Sequence, residues 1–263
     1  MLKNKMQAGI LLQDKTGHNL IEFSIIIPAH NEETRIVTTL KETADVFEEL
    51  NSSYEIIVVD DGSSDGTCES VEEFISSGPK YSRKIRIKSY SPNMGKGNAL
   101  KYGSSFAGGK YILFLDADLD LHPFIATEFY RIMEAKNADI VIGSKMHKKS
   151  VLHYPFFRKI ASFCYYIIIK ILFRLSIKDT QTGIKLFKRK VLEECLPRVI
   201  VKRYAFDLEL LVAANKKGYS IVEAPVKVDL KRQFGRVGIR DAFRMFLDTA
   251  GVFWRLNLRK YYD

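Results

Sequence analysis

The 263-residue chain is 46% hydrophobic, 12% aromatic and 27% charged. That is a globular composition, sufficient for one large domain with a substantial core, and it excludes a disordered, collagen-like or disulfide-scaffold protein. The formal charge of +10 is unevenly placed: residues 1–144 carry 15 basic and 21 acidic side chains, net −6, whereas residues 145–263 carry 26 and 10, net +16. A basic half attracts nucleic acid, anionic lipid or phosphorylated substrates, and composition alone does not choose among them.

Residues 1–22 form a polar lead-in whose apolar run, Ala8 to Leu12, is too short for the core of a signal peptide. Phe23 to Ala29 (FSIIIPA) and Tyr54 to Asp60 (YEIIVVD) are β-branched runs that predict buried strands of a parallel sheet. Between them Ile36, Val37, Leu40, Ala44, Phe47 and Leu50 recur at helical spacing, which makes a βαβ unit. A helix over Thr67 to Ile75, a strand over Lys84 to Tyr90, a helix over Asn98 to Phe106 and a strand over Tyr111 to Leu115 follow, with another strand over Asp139 to Ser144. This alternation predicts a doubly wound α/β sheet, in which ligands bind at the carboxyl ends of the strands.

The basic half differs in texture. Val151 to Ile177 is aromatic and aliphatic, with Arg158, Ser162, Tyr166, Lys170 and Arg174 recurring every four residues as a polar row. Thr180 to Gly183 reads as a turn, Tyr204 to Asn215 as a helix and Tyr219 to Val228 as a strand. In the last 25 residues Arg240, Arg244, Asp248, Arg255 and Arg259 fall on one side of the helical period, and Phe243, Phe246, Leu247, Ala250, Phe253 and Trp254 on the other. A basic amphipathic helix with Trp and Phe suits the plane of an anionic membrane. Core packing and a dimer interface are the alternatives. No stretch approaches the roughly 20 apolar residues needed to cross a bilayer; Ile160 to Ile169 stops at Lys170. Cys68, Cys164 and Cys195 fit neither a zinc site nor a disulfide framework, which favours a reducing compartment. With no linker long enough to separate two folding units, the basic half is expected to pack on the sheet.

Three acidic clusters fall where strands end: Asn31 and Glu32, then Asp60 and Asp61, then Asp116, Asp118 and Asp120. Asp116 and Asp118 are alternate residues on an extended segment, so both carboxylates can face one hard divalent cation, Mg²⁺ or Mn²⁺, whose other ligands are water and phosphate. Asn93, Gly95, Lys96 and Gly97 precede a helix, where small residues and a lysine suit an anion such as a diphosphate. Neither the P-loop nor the dinucleotide fingerprint is present.

In their order, FSIIIPAHNE (23–32), IVVDDGSSD (57–65), NMGKGNA (93–99) and LDADL (115–119) resemble the inverting GT-A glycosyltransferases of family 2. Gly143-Ser-Lys145, Arg158, Ser162, DTQTGIKLFKR (179–189) and YAFDLE (204–209) narrow the resemblance to the polyprenyl-phosphate sugar transferases, the group of dolichyl-phosphate mannose and glucose synthases. It covers roughly residues 22–260.

The resemblance implies a GT-A domain over 23–235, and the amphipathic pattern of the C-terminal residues makes 236–263 the expected membrane-docking segment. It implies that Pro28, Asn31, Glu32, Asp60, Asp61, Asn93, Lys96 and Asp116 bind the nucleotide-sugar, with Asp61 on the base. Asp116, Asp118 and Asp120 would make the metal site, and Lys145, Arg158, Ser162 and Arg232 would receive the acceptor phosphate. Asp179 and Asp207 are the catalytic candidates. The expected reaction moves a hexose, from UDP-glucose ahead of GDP-mannose, to a polyprenyl or dolichyl phosphate. The expected place is peripheral, on the cytoplasmic face of a membrane, with room for a membrane-spanning partner subunit and none for nucleic acid. Two rivals stay open: a family 2 transferase acting on a soluble or polysaccharide hydroxyl, which needs a general base, and a non-catalytic basic protein binding membrane or nucleic acid.

Overall fold

A computed structural model describes residues 21–151, 156–228 and 239–262, and of residues 156–162, 164 and 239–243 the backbone only. Seven strands form one sheet in the order β3-β2-β1-β4-β6-β5-β7. They are β1 (Phe23–Ala29), β2 (Tyr54–Asp61), β3 (Ile85–Tyr90), β4 (Tyr111–Leu115), β5 (Ile140–Ser144), β6 (Ile184–Lys188) and β7 (Ile221–Pro225). The first-half helices are α1 (Ile36–Glu49), α2 (Thr67–Ser76), the short α3 (Pro79–Ser82), α4 (Lys96–Ser104) and α5 (Ile125–Lys136). The second half adds α6 (Phe156–Phe173), α7 (Arg189–Cys195), α8 (Phe206–Lys216) and α9 (Ile239–Asn257). The mainly parallel α/β sheet with helices on both faces is as expected.

Side chains alternate across each strand, so the sheet divides the interior in two. Ile25, Ile27, Ile56, Val58, Leu113 and Leu115 point into one core with Leu40 and Phe47 of α1 and Phe129 and Met133 of α5. Ile26, Ile57, Val59, Ile112, Phe114, Ile140 and Ile142 point into the other, with Ala99 of α4, Phe173 of α6, Val191 of α7, Leu211 of α8 and Val252 of α9. The basic half therefore covers the second face, and α9 belongs to its core through Val252.

Helices α3, α5 and α7 and strand β6 are additions to the elements anticipated from the sequence. β6 is the consequential one. It runs antiparallel between β4 and β5, pairing Leu115 with Ile184 and Ile140 with Phe187. A strand that enters antiparallel begins where its parallel neighbour ends. The turn before Ile184 is thereby delivered to the carboxyl end of β4, beside Asp116.

Candidate active site

A cavity of about 520 Å³ opens at the carboxyl ends of β1, β2 and β4, lined by Pro28, Ala29, His30, Glu32, Asp61, Asn93, Gly95, Lys96, Asp116, Ala117, Asp118, Gln181, Arg203, Tyr204 and Asp207. The register Ala29↔Asp60 brings two strand ends level, and the loops beyond them are tied together. Asn31 Oδ1 accepts the N–H of Ser64 at 2.8 Å, and the N–H of Glu32 donates to Thr67 Oγ1 at 2.9 Å. Asn31 thus holds two loops together at the rim, outside the cavity lining.

Asp61 faces the cavity, and its carboxylate is occupied by the chain itself. It accepts the N–H of Met94 at 2.7 Å and that of Gly95 at 2.8 Å. This shapes the glycine-rich loop ahead of α4, so the positive charge offered to an anion comes from Lys96 and not from those two amides. Gly95 has φ +101°, and a Cβ there would lie 2.5 Å from Arg203 Cγ; both the left-handed backbone and the crowding require glycine. Asp60 is buried behind the lining, with Oδ2 accepting the N–H of Ser63 at 3.3 Å.

Lys96 forms an ion pair with Asp116. Burial disfavours its charge, but Asp116 and Asp207 outweigh that and hold its pKa above the ordinary lysine value. Asp118 shows the opposite balance: burial, then the like charges of Asp116 and Asp120, push its pKa up to about 6. Asp120 lies outside the lining, and no group of three His, Cys, Asp or Glu side chains converges as a metal cage among the described residues. Two cavity-facing carboxylates with surplus negative charge nonetheless suit a hard cation that completes its shell with water and substrate phosphate.

The DTQTG turn closes the floor. Asp179 Oδ2 accepts the Thr182 hydroxyl at 2.6 Å and the N–H of Lys145 at 2.9 Å, and its Oδ1 accepts the N–H of Gln181 at 3.0 Å. Asp179 therefore organises the turn from outside the cavity, and joins it to Lys145 at the end of β5. A Cβ on Gly183 would fall 2.0 Å from Asp116 Oδ2. Gly183→Ala must displace the Asp116 carboxylate, and a displacement of about 1 Å at a reacting centre is worth about 10²-fold in rate. The expected result is a transfer rate down by that factor in a protein whose circular dichroism is unchanged.

Asp207 does reach the cavity, from the first turn of α8. Its Oδ1 lies 2.7 Å from Lys185 Nζ, a lysine only 2% exposed whose ammonium also donates to Thr182 O at 2.6 Å. His30, Gln181, Arg203 and Tyr204 line the cavity too, and Lys185 supports it; the sequence reading named none of the five for the site. Of these, Gln181 and Lys185 lie inside the DTQTGIKLFKR motif, where position was the available signal. Arg158, Ser162 and Arg232 of the anticipated acceptor set lie outside the described residues or side chains.

One expectation for α9 changes. Arg255 is not part of a solvent-facing basic row, because it forms an ion pair with buried Glu209 at 2.7 Å. The exposed side of α9 instead presents Phe246, Leu247 and Trp254, with Arg259 4.5 Å from the Trp254 ring. α6 exposes Phe163, Ile167, Ile168 and Ile171, and Phe173 and Phe253 join the two helices at 6.2 Å. No helix among the described residues is long and apolar enough to cross a membrane.

A mixed sheet of this order, with acidic residues and a lysine gathered at its carboxyl edge, is the GT-A architecture. Glucosyl-3-phosphoglycerate synthase from Mycobacterium tuberculosis, solved with Mn²⁺, UDP and glucosyl-3-phosphoglycerate, superposes with a TM-score of 0.67 over 95% of this chain and 82% of its own at 18% identity. Mannosyl-3-phosphoglycerate synthase from Rubrobacter xylanophilus gives 0.67 over 92% and 76%, also at 18% identity. In sequence, residues 24–196 match the model of Glycosyl transferase family 2. The dolichyl-phosphate β-glucosyltransferase of Dictyostelium discoideum is 35% identical over 82% of this chain and 69% of its own length. An enzyme of the same name from Trichomonas vaginalis is 34% identical over 89% and 74%. The chain belongs to glycosyl transferase family 2 and is a glycosyltransferase.

Proposed function

We propose that this enzyme transfers glucose from UDP-glucose to a dolichyl or other polyprenyl phosphate, with inversion, at a membrane surface. The observation that carries the acceptor class is the state of the two candidate base carboxylates. Asp207 is ion-paired with buried Lys185, and Asp179 is bonded on both oxygens within its turn. A hydroxyl acceptor needs a carboxylate free to take its proton, whereas a phosphate monoester is already an anionic nucleophile at neutral pH. What such an acceptor needs is positive charge and orientation where two anions meet. The names of the relatives at 34–35% identity support the same acceptor and favour glucose.

In this reading the nucleoside lies along Pro28, Ala29, Glu32 and Asp61, and the diphosphate between Lys96 and the Asp116–Asp118 edge, with Arg203 flanking it. A divalent cation held by Asp116 and Asp118, Mg²⁺ or Mn²⁺, would neutralise charge developing on the leaving diphosphate. A phosphate oxygen of the acceptor attacks the anomeric carbon as the bond to the diphosphate breaks, and UDP departs with that bond's electrons. Lys145, the basic Arg158 and Arg232, and the hydroxyl of Ser162 form the acceptor side. Residues 23–235 constitute the transferase domain. The exposed apolar side chains of α6 and α9 rest on the bilayer, in peripheral docking on the cytoplasmic side.

Transfer of radiolabelled sugar from UDP-glucose, UDP-galactose and GDP-mannose to a short polyprenyl phosphate in detergent tests this, with Mg²⁺, Mn²⁺ or EDTA present. The expected result is label in the organic phase from UDP-glucose, abolished by EDTA. Label that enters only a hydroxyl acceptor would overturn the acceptor assignment.

A further inference from the structure

Glu209 is wholly buried on α8, two residues beyond the cavity-facing Asp207. Its two oxygens serve different parts of the chain. Oε2 accepts the backbone N–H groups of Ile200 at 2.8 Å and Val201 at 2.6 Å. Oε1 accepts Arg255 Nε of α9 at 3.0 Å and the hydroxyl of Tyr262, five residues beyond the end of α9.

The segment on the Oε2 side is a wall of the cavity. Lys202 O accepts the N–H of Asn98 at 3.0 Å, Arg203 donates to Asn93 O at 3.2 Å, and Lys101 Nζ donates to Val199 O at 2.8 Å. Arg203 and Tyr204 face the cavity directly. Neither α9 nor Tyr262 contributes to the lining.

We propose that Glu209 is a positioning residue for the donor. Through it, α9 and Tyr262 hold the 200–204 segment against the glycine-rich loop, so the shape of the diphosphate wall depends on how the C-terminal helix is seated. A buried carboxylate keeps its orientation only while donors hold both oxygens. Weakening the Arg255–Tyr262 side lets it turn, and the Ile200 and Val201 amides lose their fixed acceptor. The inference rests on the reading of this cavity as the donor site.

Tyr262→Phe removes one donor while keeping the ring, and Arg255→Lys keeps the charge while losing the guanidinium fork. For wild type and both variants, the measurements are donor KM and kcat, the affinity for UDP with Mn²⁺ by calorimetry, and amide exchange of residues 93–98 and 199–204. The expected result for each variant is donor KM and UDP Kd raised about five- to tenfold, kcat within about twofold, and faster exchange at Ile200 and Val201. A purely structural role would lower the active fraction, and hence apparent kcat, with KM and Kd unchanged; that outcome overturns the proposal. So does faster exchange confined to the residues after 250. A wild type that binds no UDP removes the donor reading and the proposal together, whereas wild-type and variant proteins that bind UDP equally overturn the proposal alone.

Discussion

Asp118→Asn is expected to lower sugar transfer by about 10²–10³-fold and, in EDTA, to make the protein more stable. The two effects have one cause. Burial and the neighbouring Asp116 and Asp120 raise the Asp118 pKa from 3.8 to about 6, so at neutral pH the folded protein holds an ionised carboxylate where its surroundings disfavour one. One pKa unit is worth about 1.4 kcal/mol, which bounds the cost at about 3 kcal/mol before solvent screening reduces it. The sign follows from linkage: the folded carboxyl keeps its proton to higher pH than the unfolded one, so the cost is absent below about pH 4, grows between about pH 4 and 6 and is complete above. Asn keeps the oxygen that accepts the N–H of Asp120 and carries no charge. Thermal melts of both proteins at pH 4 and pH 7.5 check this; a stability gain at pH 4 as large as at pH 7.5 would contradict it. Mn²⁺ should stabilise the wild type and not the variant.

The second large effect falls on Lys185. Lys185→Met should destabilise the protein by about 3–5 kcal/mol, because it leaves Asp207 buried opposite an apolar side chain. For a chain of this size that is a fall in melting temperature on the order of 10 °C. Lys185→Met combined with Asp207→Leu removes both charges and should recover most of the stability, since a buried ion pair is worth little against a well-packed apolar replacement. Activity should not return with it, because Asp207 faces the cavity. A double variant as unstable as the single one would show that Lys185 acts through packing and not through Asp207. Recovered activity would remove Asp207 from the transfer machinery.

β1, β2 and β4 were legible because they are buried on both faces and read as near-continuous apolar runs. β6 was not, for the same physical reason inverted: Lys185 is the second of its five residues and hides its burial, and the Asp207 carboxylate of a helix over 20 residues away, together with Thr182 O, makes that lysine tolerable there. α5 carries helical spacing at Phe129 and Met133, but its polar remainder and the acidic run before it concealed its start. Asp179 and Arg255 illustrate a second limit. Both were recognised as consequential, and both are turned from the surface or the cavity toward partners contributed by distant segments, Lys145 and Glu209.

From residues alone followed the alternating α/β architecture, the strand ends that carry Asp61, Asp116 and Asp118 and the anion-seeking lysine that opens α4, because each is set by local periodicity and short-range spacing; the family came from the resemblance of the motifs in their order. The tertiary structure decided the rest. The antiparallel return of β6 brings Gly183 against Asp116, and α8 brings Asp207 onto Lys185 and Glu209 onto Arg255. Those pairings depend on which segments meet across the sheet, and the cost of burying a charge makes each acceptable only when its partner arrives from elsewhere in the chain.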